Sequence, residues 1–274
     1  MKVLCSTGGI IGPQNQRNFR LLEKYSKELL CDGFELMMYK AWYNELDDLI
    51  SYLKDLQLYI PVVHCEKNIG TCIGTGTAEE IKRGIDFFKA DCRVAKEISA
   101  QMLVLHLWGG MVSDSNFDTN LLYYEKLNEI AKQYSLELLI ENIVCNVKDP
   151  MTWWCQLAEF YPNINFVFDT KMASFHGQLE LLYQKEYEWL WKNGHICHYH
   201  IGDYGSFPMD WSNLKSLPIG MGNIDFDSFG AFLRRSSYDG FLTLEGSSFD
   251  DNGDVDITLL NKCFEIIRGW DKHS

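Results

Sequence analysis

Eight short apolar runs recur along the chain, at residues 3–6, 34–39, 59–65, 102–108, 137–143, 165–169, 196–201 and 240–245. Each gives way to a polar or glycine-containing stretch and then to a helical pattern. Their length and their Val, Ile and aromatic content suit parallel strands buried on both faces. Helix starts stand between them. Thr77-Ala-Glu-Glu80 has the form of a capping box, and Asp149-Pro150 puts a cap residue before proline at the first helical position. Leu21, Leu22, Tyr25, Leu29 and Leu30 recur at helical spacing and predict a helix that Gly33 ends. Leu121, Leu122, Tyr124, Leu127, Ile130 and Ala131 form a second stripe, and Leu259, Leu260, Cys263, Ile266 and Ile267 predict a final helix. Residues 71–77 (TCIGTGT) read as a loop after the third strand, 202–222 as the longest irregular stretch, and 250–256 as an acidic surface loop.

Strand and helix alternating throughout implies a parallel sheet. Eight units suit closure into a (β/α)8 TIM barrel, expected as one domain over residues 1–274; an open doubly wound sheet shares the same periodicity. The length of 274 residues is close to the ~250 typical of a closed α/β barrel. No Gly-x-Gly-x-x-Gly follows the first strand, so no nucleotide cofactor is expected.

Charge and cysteine narrow the partners. The formal net charge is −13, with 25 basic against 38 acidic residues, which disfavours nucleic acid. Nine cysteines without a Cys-x-x-Cys pair read as reduced thiols and make the cytoplasm the expected compartment. The opening MKVLCSTGG has no signal-like apolar core, and no run is long enough for a bilayer, so no membrane association is expected.

The informative feature is what ends the apolar runs. Run three ends near His64, run four carries His106, run five Glu141, run six Asp169, run seven His200 and run eight Glu245. One buried histidine is most often a hydrogen-bonded core residue, and one strand-end carboxylate is usually a cap or an ion-pair partner. Closing a barrel, however, would bring Glu141, Asp169, His200 and Glu245 to one mouth. Three carboxylates there repel unless a cation neutralises them. Oxygen-rich ligation with one imidazole suits Mn2+, Mg2+ or Co2+ and permits Zn2+.

These motifs, in this order from Met1 to about Arg268, resemble the xylose isomerase-like barrel superfamily of sugar and sugar-phosphate isomerases and epimerases, which also holds the endonuclease IV-type AP endonucleases. By that resemblance Glu141 in IEN, Asp169 in FDT, His200 in HIGD and Glu245 in LEG match the four metal ligands of ketose 3-epimerases. Residues 217–225 (LPIGMGNID) resemble the family's Pro-Gly-x-Gly-x-Ile-Asp signature, with Ile219 inserted. His64 and His106 match positions that bind an additional zinc in the endonuclease-like members, and would otherwise bind substrate. Met172 stands where Asp-Thr-x-His would place a histidine, and Leu217-Pro218 falls where the nucleases carry Asp and His, so the resemblance does not extend to a three-zinc nuclease site.

The resemblance implies isomerisation or epimerisation of a ketose or related polyol-carbonyl compound. Glu141 and Glu245 would exchange a proton across the substrate, with negative charge on neighbouring oxygens stabilised by the metal. Trp108, Asp203, Lys171 and Glu35 are the substrate-binding candidates; Trp42 and Phe207 are further aromatic ones, while Trp153 and Trp154 read as packing and His198 as core beneath the site. A metal-dependent phosphodiesterase, a non-catalytic sugar-binding barrel and a dehydratase or lyase are the competing readings. A small carbohydrate is the expected partner, and a homo-oligomer is compatible with the sequence.

Overall fold

The computed structural model describes residues 1–109, 114–250 and 252–271. Gly110 of the LVLHLWGG run and Asp251 of the acidic stretch lie outside the described residues. All eight apolar runs contribute a strand: β1 Lys2–Ser6, β2 Gly33–Met37, β3 Val62–His64, β4 Met102–Leu105, β5 Glu137–Glu141, β6 Asn165–Asp169, β7 Ile196–Ile201 and β8 Phe241–Leu244. They close into a barrel in chain order. The described helices are α1 Leu22–Ser26, α2 Leu46–Leu56, α3 Ile69–Gly74, α4 Ala78–Glu97, α5 Phe117–Gln133, α6 Pro150–Phe160, α7 Thr170–Phe175, α8 Trp189–Lys192, α9 Phe226–Ser236 and α10 Ile257–Gly269. None of them is long and apolar enough to cross a membrane.

The chain packs as two compact units, residues 1–34 with 168–274, and residues 35–167. In the first, β1 pairs with β8 in parallel, Lys2 opposite Phe241, and β8 pairs with β7, His200 opposite Thr243. Leu4, Tyr199, Leu242 and Leu244 are buried there, as are Phe229, Phe232 and Phe264 of α9 and α10, with Phe229 edge to face on Tyr199. In the second, β3 pairs with β2 and β4, and β5 with β4 and β6, with Glu141 opposite Val167. Trp154 of α6 stacks on Phe166 at 4.2 Å and Trp153 on Phe117 at 3.8 Å, so both tryptophans are packing residues, as expected.

Four local expectations are corrected. The first helix stops at Ser26, and Gly33 opens β2 instead of ending the helix. The segment after it is held by α10: the Asn261 side chain accepts from Leu30 N–H and donates to Glu28 C=O, and Arg268 donates to Leu30 C=O. These tertiary hydrogen bonds outweigh a weak helical preference. Residues 71–77 are not all loop, because α3 occupies 69–74 with Ile69, Cys72 and Ile73 buried. Gly70 makes this fit: a Cβ there would lie 2.3 Å from the His106 carbonyl oxygen. Strand three starts late because Pro61 offers no N–H; its carbonyl instead accepts from Gln101 and Met102. The capping box at 77–80 is half formed. Thr77 accepts from Glu80 N–H, while the Glu80 carboxylate pairs with Arg83. Asp149 caps α6 through Thr152 N–H at 2.8 Å.

Candidate metal centre

In the first unit, three ionisable residues meet where β6, β7 and β8 end. Asp169 is the last residue of β6 and the cap of α7, its Oδ1 accepting from Met172 N–H at 2.8 Å. Its Oδ2 lies 3.8 Å from the Lys171 ammonium. Glu245 stands one residue past β8 and keeps the sheet bond, donating its N–H to Ile201 C=O at 2.8 Å. Its Oε1 lies 3.4 Å from Nδ1 of His200. One donor atom from each of Asp169, His200 and Glu245 falls within 4.8 Å of the others. Asp169 and His200 are fully buried, and the Glu245 side chain is 10% exposed. Two carboxylates this close and this dry are costly to keep ionised unless positive charge balances them. Two oxygens and an imidazole nitrogen make a donor set that fits a divalent ion.

His198, two residues earlier on the same face of β7, is a core residue. Its Nδ1 donates to Phe241 C=O and its Nε2 faces Thr243 Oγ1, both at 3.0 Å.

In the second unit, Glu141 ends β5 with His64 of β3 and His106 just after β4. Glu141 Oε2 lies 2.6 Å from His106 Nε2 and 3.3 Å from His64 Nε2. The imidazoles meet edge to face, 4.7 Å between centroids, and all three residues are buried. Burial drives His106 down to about 4 against the pull of the Glu141 carboxylate, so the ring is neutral at neutral pH.

The substrate-binding candidates fare unevenly. Trp108 is fully buried, edge to face with Phe117, its indole N–H donated to Ile143 C=O at 3.0 Å; it packs the core and offers no ring face to a sugar. Trp42 is buried likewise, whereas Phe207 is 69% exposed. Glu35 is fully buried in β2 opposite Val62. Lys171 sits in the first turn of α7 beside Asp169.

Asp203 is a loop anchor. Its Oδ1 accepts from Tyr204 and Ile224 N–H, and its Oδ2 from Gly220 and Gly222 N–H, at 2.8–3.1 Å. The four acceptor positions of the carboxylate are thereby filled by main-chain N–H groups. This also accounts for the 217–225 motif. Gly220 adopts φ +84°, and a Cβ on Gly222 would lie 2.4 Å from Asp203 Oδ1. Both glycines therefore bring backbone N–H groups onto one buried carboxylate.

Sequence reading missed Glu66 and Asp91. Glu66 is buried two residues past His64, and Asp91 is fully buried in α4. A signal was present for Asp91: it falls within the apolar stripe Gly84, Ile85, Phe88, Cys92, Ala95 that α4 buries.

With barrel, strand ends and glycine loop established, the comparison with known families is decisive. The sequence model of the xylose isomerase-like TIM barrel family matches residues 24–260. The chain belongs to that family. Among solved structures, a D-tagatose 3-epimerase-like protein is 19% identical, with a TM-score of 0.68 over 98% of this chain and 97% of the other. D-allulose 3-epimerase from Methylomonas sp., in complex with D-allulose, is 15% identical, with a TM-score of 0.67 over 98% and 96%. A 3-DHS dehydratase from Bacillus anthracis is 15% identical, with a TM-score of 0.68 over 98% and 99%. At these identities the likeness is one of fold. No curated protein matches the sequence.

Proposed function

We propose that this xylose isomerase-like barrel is a divalent-metal-dependent sugar isomerase or epimerase acting on a ketose or related polyol-carbonyl compound. The observation that carries the reading is a donor set in the first unit: Asp169, His200 and Glu245 each offer one ligand atom, within 4.8 Å of one another. Strand register supports it as well, since Glu141 lies opposite Val167, two residues before Asp169 and on the same face of β6. These four residues would hold Mn2+, Mg2+, Co2+ or Zn2+. A bound divalent ion supplies positive charge where negative charge grows on neighbouring substrate oxygens.

The chain's own part is proton transfer. One of Glu141 and Glu245 takes the proton from the carbon beside the carbonyl, and the C–H electron pair moves into the carbonyl system. The other glutamic acid returns a proton to carbon, on the opposite face for epimerisation. The two glutamates finish with exchanged protonation states, so the cycle closes by proton exchange with water. Solvent hydrogen therefore enters the product. Lys171 holds the Asp169 carboxylate at 3.8 Å, and Asp203 fixes the loop that follows β7. The test is turnover of a ketose panel in D2O by metal-loaded protein. Deuterium at the carbon next to the carbonyl is the expected result; tight binding of a sugar without exchange would leave a binding barrel.

The cluster of His64, His106 and Glu141 favours a second reading, metal-dependent phosphodiester hydrolysis with a second ion held there. Nicking of an abasic-site duplex at catalytic rates would establish it over the first.

A further inference from the structure

His64 faces Glu141 through Nε2, and its other nitrogen is tied to the backbone. Nδ1 lies 2.8 Å from the Cys65 carbonyl oxygen. A carbonyl only accepts, so Nδ1 carries the proton and Nε2 is the atom turned to Glu141, 3.3 Å from Oε2. The Cys65 carbonyl belongs to the same planar, trans peptide unit as the Glu66 N–H. That N–H points the opposite way and donates to Oδ2 of Asp91 at 2.9 Å. Asp91 belongs to α4, and its Oδ1 accepts from the Tyr43 hydroxyl at 2.9 Å. Tyr43 is set in turn by stacking on Phe87, 4.7 Å between centroids.

We propose that Asp91 is a positioning residue that fixes the tautomer and aim of His64 by clamping the peptide unit between Cys65 and Glu66. A carboxyl on an apolar helix stripe costs free energy to bury, and Asp91 is buried with no lysine or arginine among its partners in the described residues. Its two oxygens hold one backbone N–H and one tyrosine hydroxyl, and the backbone bond lands on the one peptide that holds the histidine. The loop is otherwise stiffened locally: Glu66 accepts from Asn68 N–H and Asn68 Nδ2, at 2.8 and 2.7 Å. Those bonds close the turn without fixing the plane of the Cys65–Glu66 peptide. Burial pushes the Asp91 carboxyl up to about 8. Its neutral form and an asparagine share the same outline and the same acceptor for Glu66 N–H.

The consequence for turnover rests on the function proposed above; the histidine tautomer does not. The experiment is nitrogen-15 NMR of histidine-labelled, metal-free protein, with His64→Gln to assign the signal. Wild type and Asp91→Asn should show His64 carrying a proton at Nδ1. Asp91→Leu, which keeps the volume and loses the acceptor, should show mixed tautomers. An unchanged His64 signal in folded Asp91→Leu overturns the proposal. Should Asp91→Leu not fold, hydrogen exchange at the Glu66 amide decides in wild type and Asp91→Asn. Slow exchange is expected, and exchange as fast as an open loop overturns the proposal. Where turnover is found, Asp91→Leu should lose about 10–100-fold in metal affinity or activity, the usual cost of disturbing groups that orient ligands, and Asp91→Asn should restore most of it. If no sugar is turned over but the tautomer follows position 91, the functional reading fails and the positioning role stands.

Discussion

Asp169 and Asp203 are both fully buried carboxylates at the ends of β6 and β7, yet the backbone uses them differently. Asp203 accepts four main-chain N–H groups, whereas Asp169 caps α7 through Met172 N–H and lies at ion-pair distance from Lys171. Their residue type and place in the sequence are alike, so the sequence does not separate them; three of the four partners of Asp203 lie 17–21 residues away in a loop. Glu141, inside the run 137–143, and Glu245, at the end of 240–245, stand out as candidates because an ionisable residue in an apolar run is costly to bury. Replacing either by Gln should lower turnover by about 10²–10⁴-fold, the usual worth of a general acid or base, measured as the rate of deuterium exchange into product. Asp91 makes a prediction about pH. Its carboxyl is raised from about 3.9 in an unfolded chain to about 8 by burial. Well below pH 4 the group is protonated in both states, and above 8 it is ionised in both. Between them only the folded chain holds the proton, so stability falls as pH rises across that window. Urea unfolding at a series of pH values should show Asp91→Asn losing that slope, by about one proton.

Among elements, the strands were readable and the short helices were not. Buried parallel strands announce themselves as apolar runs, and β6 and β7 match their runs end to end. Helix α3 is six residues long, and its place depends on Gly70 lying against the His106 carbonyl, a contact with no local sequence signal. The 217–225 loop was recognisable as a motif, but its reason emerges only from Asp203. Gly222→Ala should therefore cost about 1–3 kcal/mol, the usual range for forcing atoms into filled space. Asp203→Ala should cost about 3 kcal/mol or more, because it strands several buried N–H groups at once. Thermal unfolding of both variants checks this; an unchanged melting temperature in either would refute the anchoring role.

For the molecule as a whole, eight-fold alternation pointed to the closed parallel barrel, and the family match over residues 24–260 agrees with it. Periodicity could not tell closure from an open sheet, because both bury their strands on two faces. A bound ion at 100 times its dissociation constant stabilises the native state by about 2.7 kcal/mol, so chelation should lower the melting temperature by roughly 5 °C. The most direct measurement is anomalous diffraction from crystals grown with Mn2+. The account predicts a peak about 2 Å from oxygens of Glu141, Asp169 and Glu245 and a nitrogen of His200. A peak held by other residues, or none at millimolar Mn2+, would contradict it.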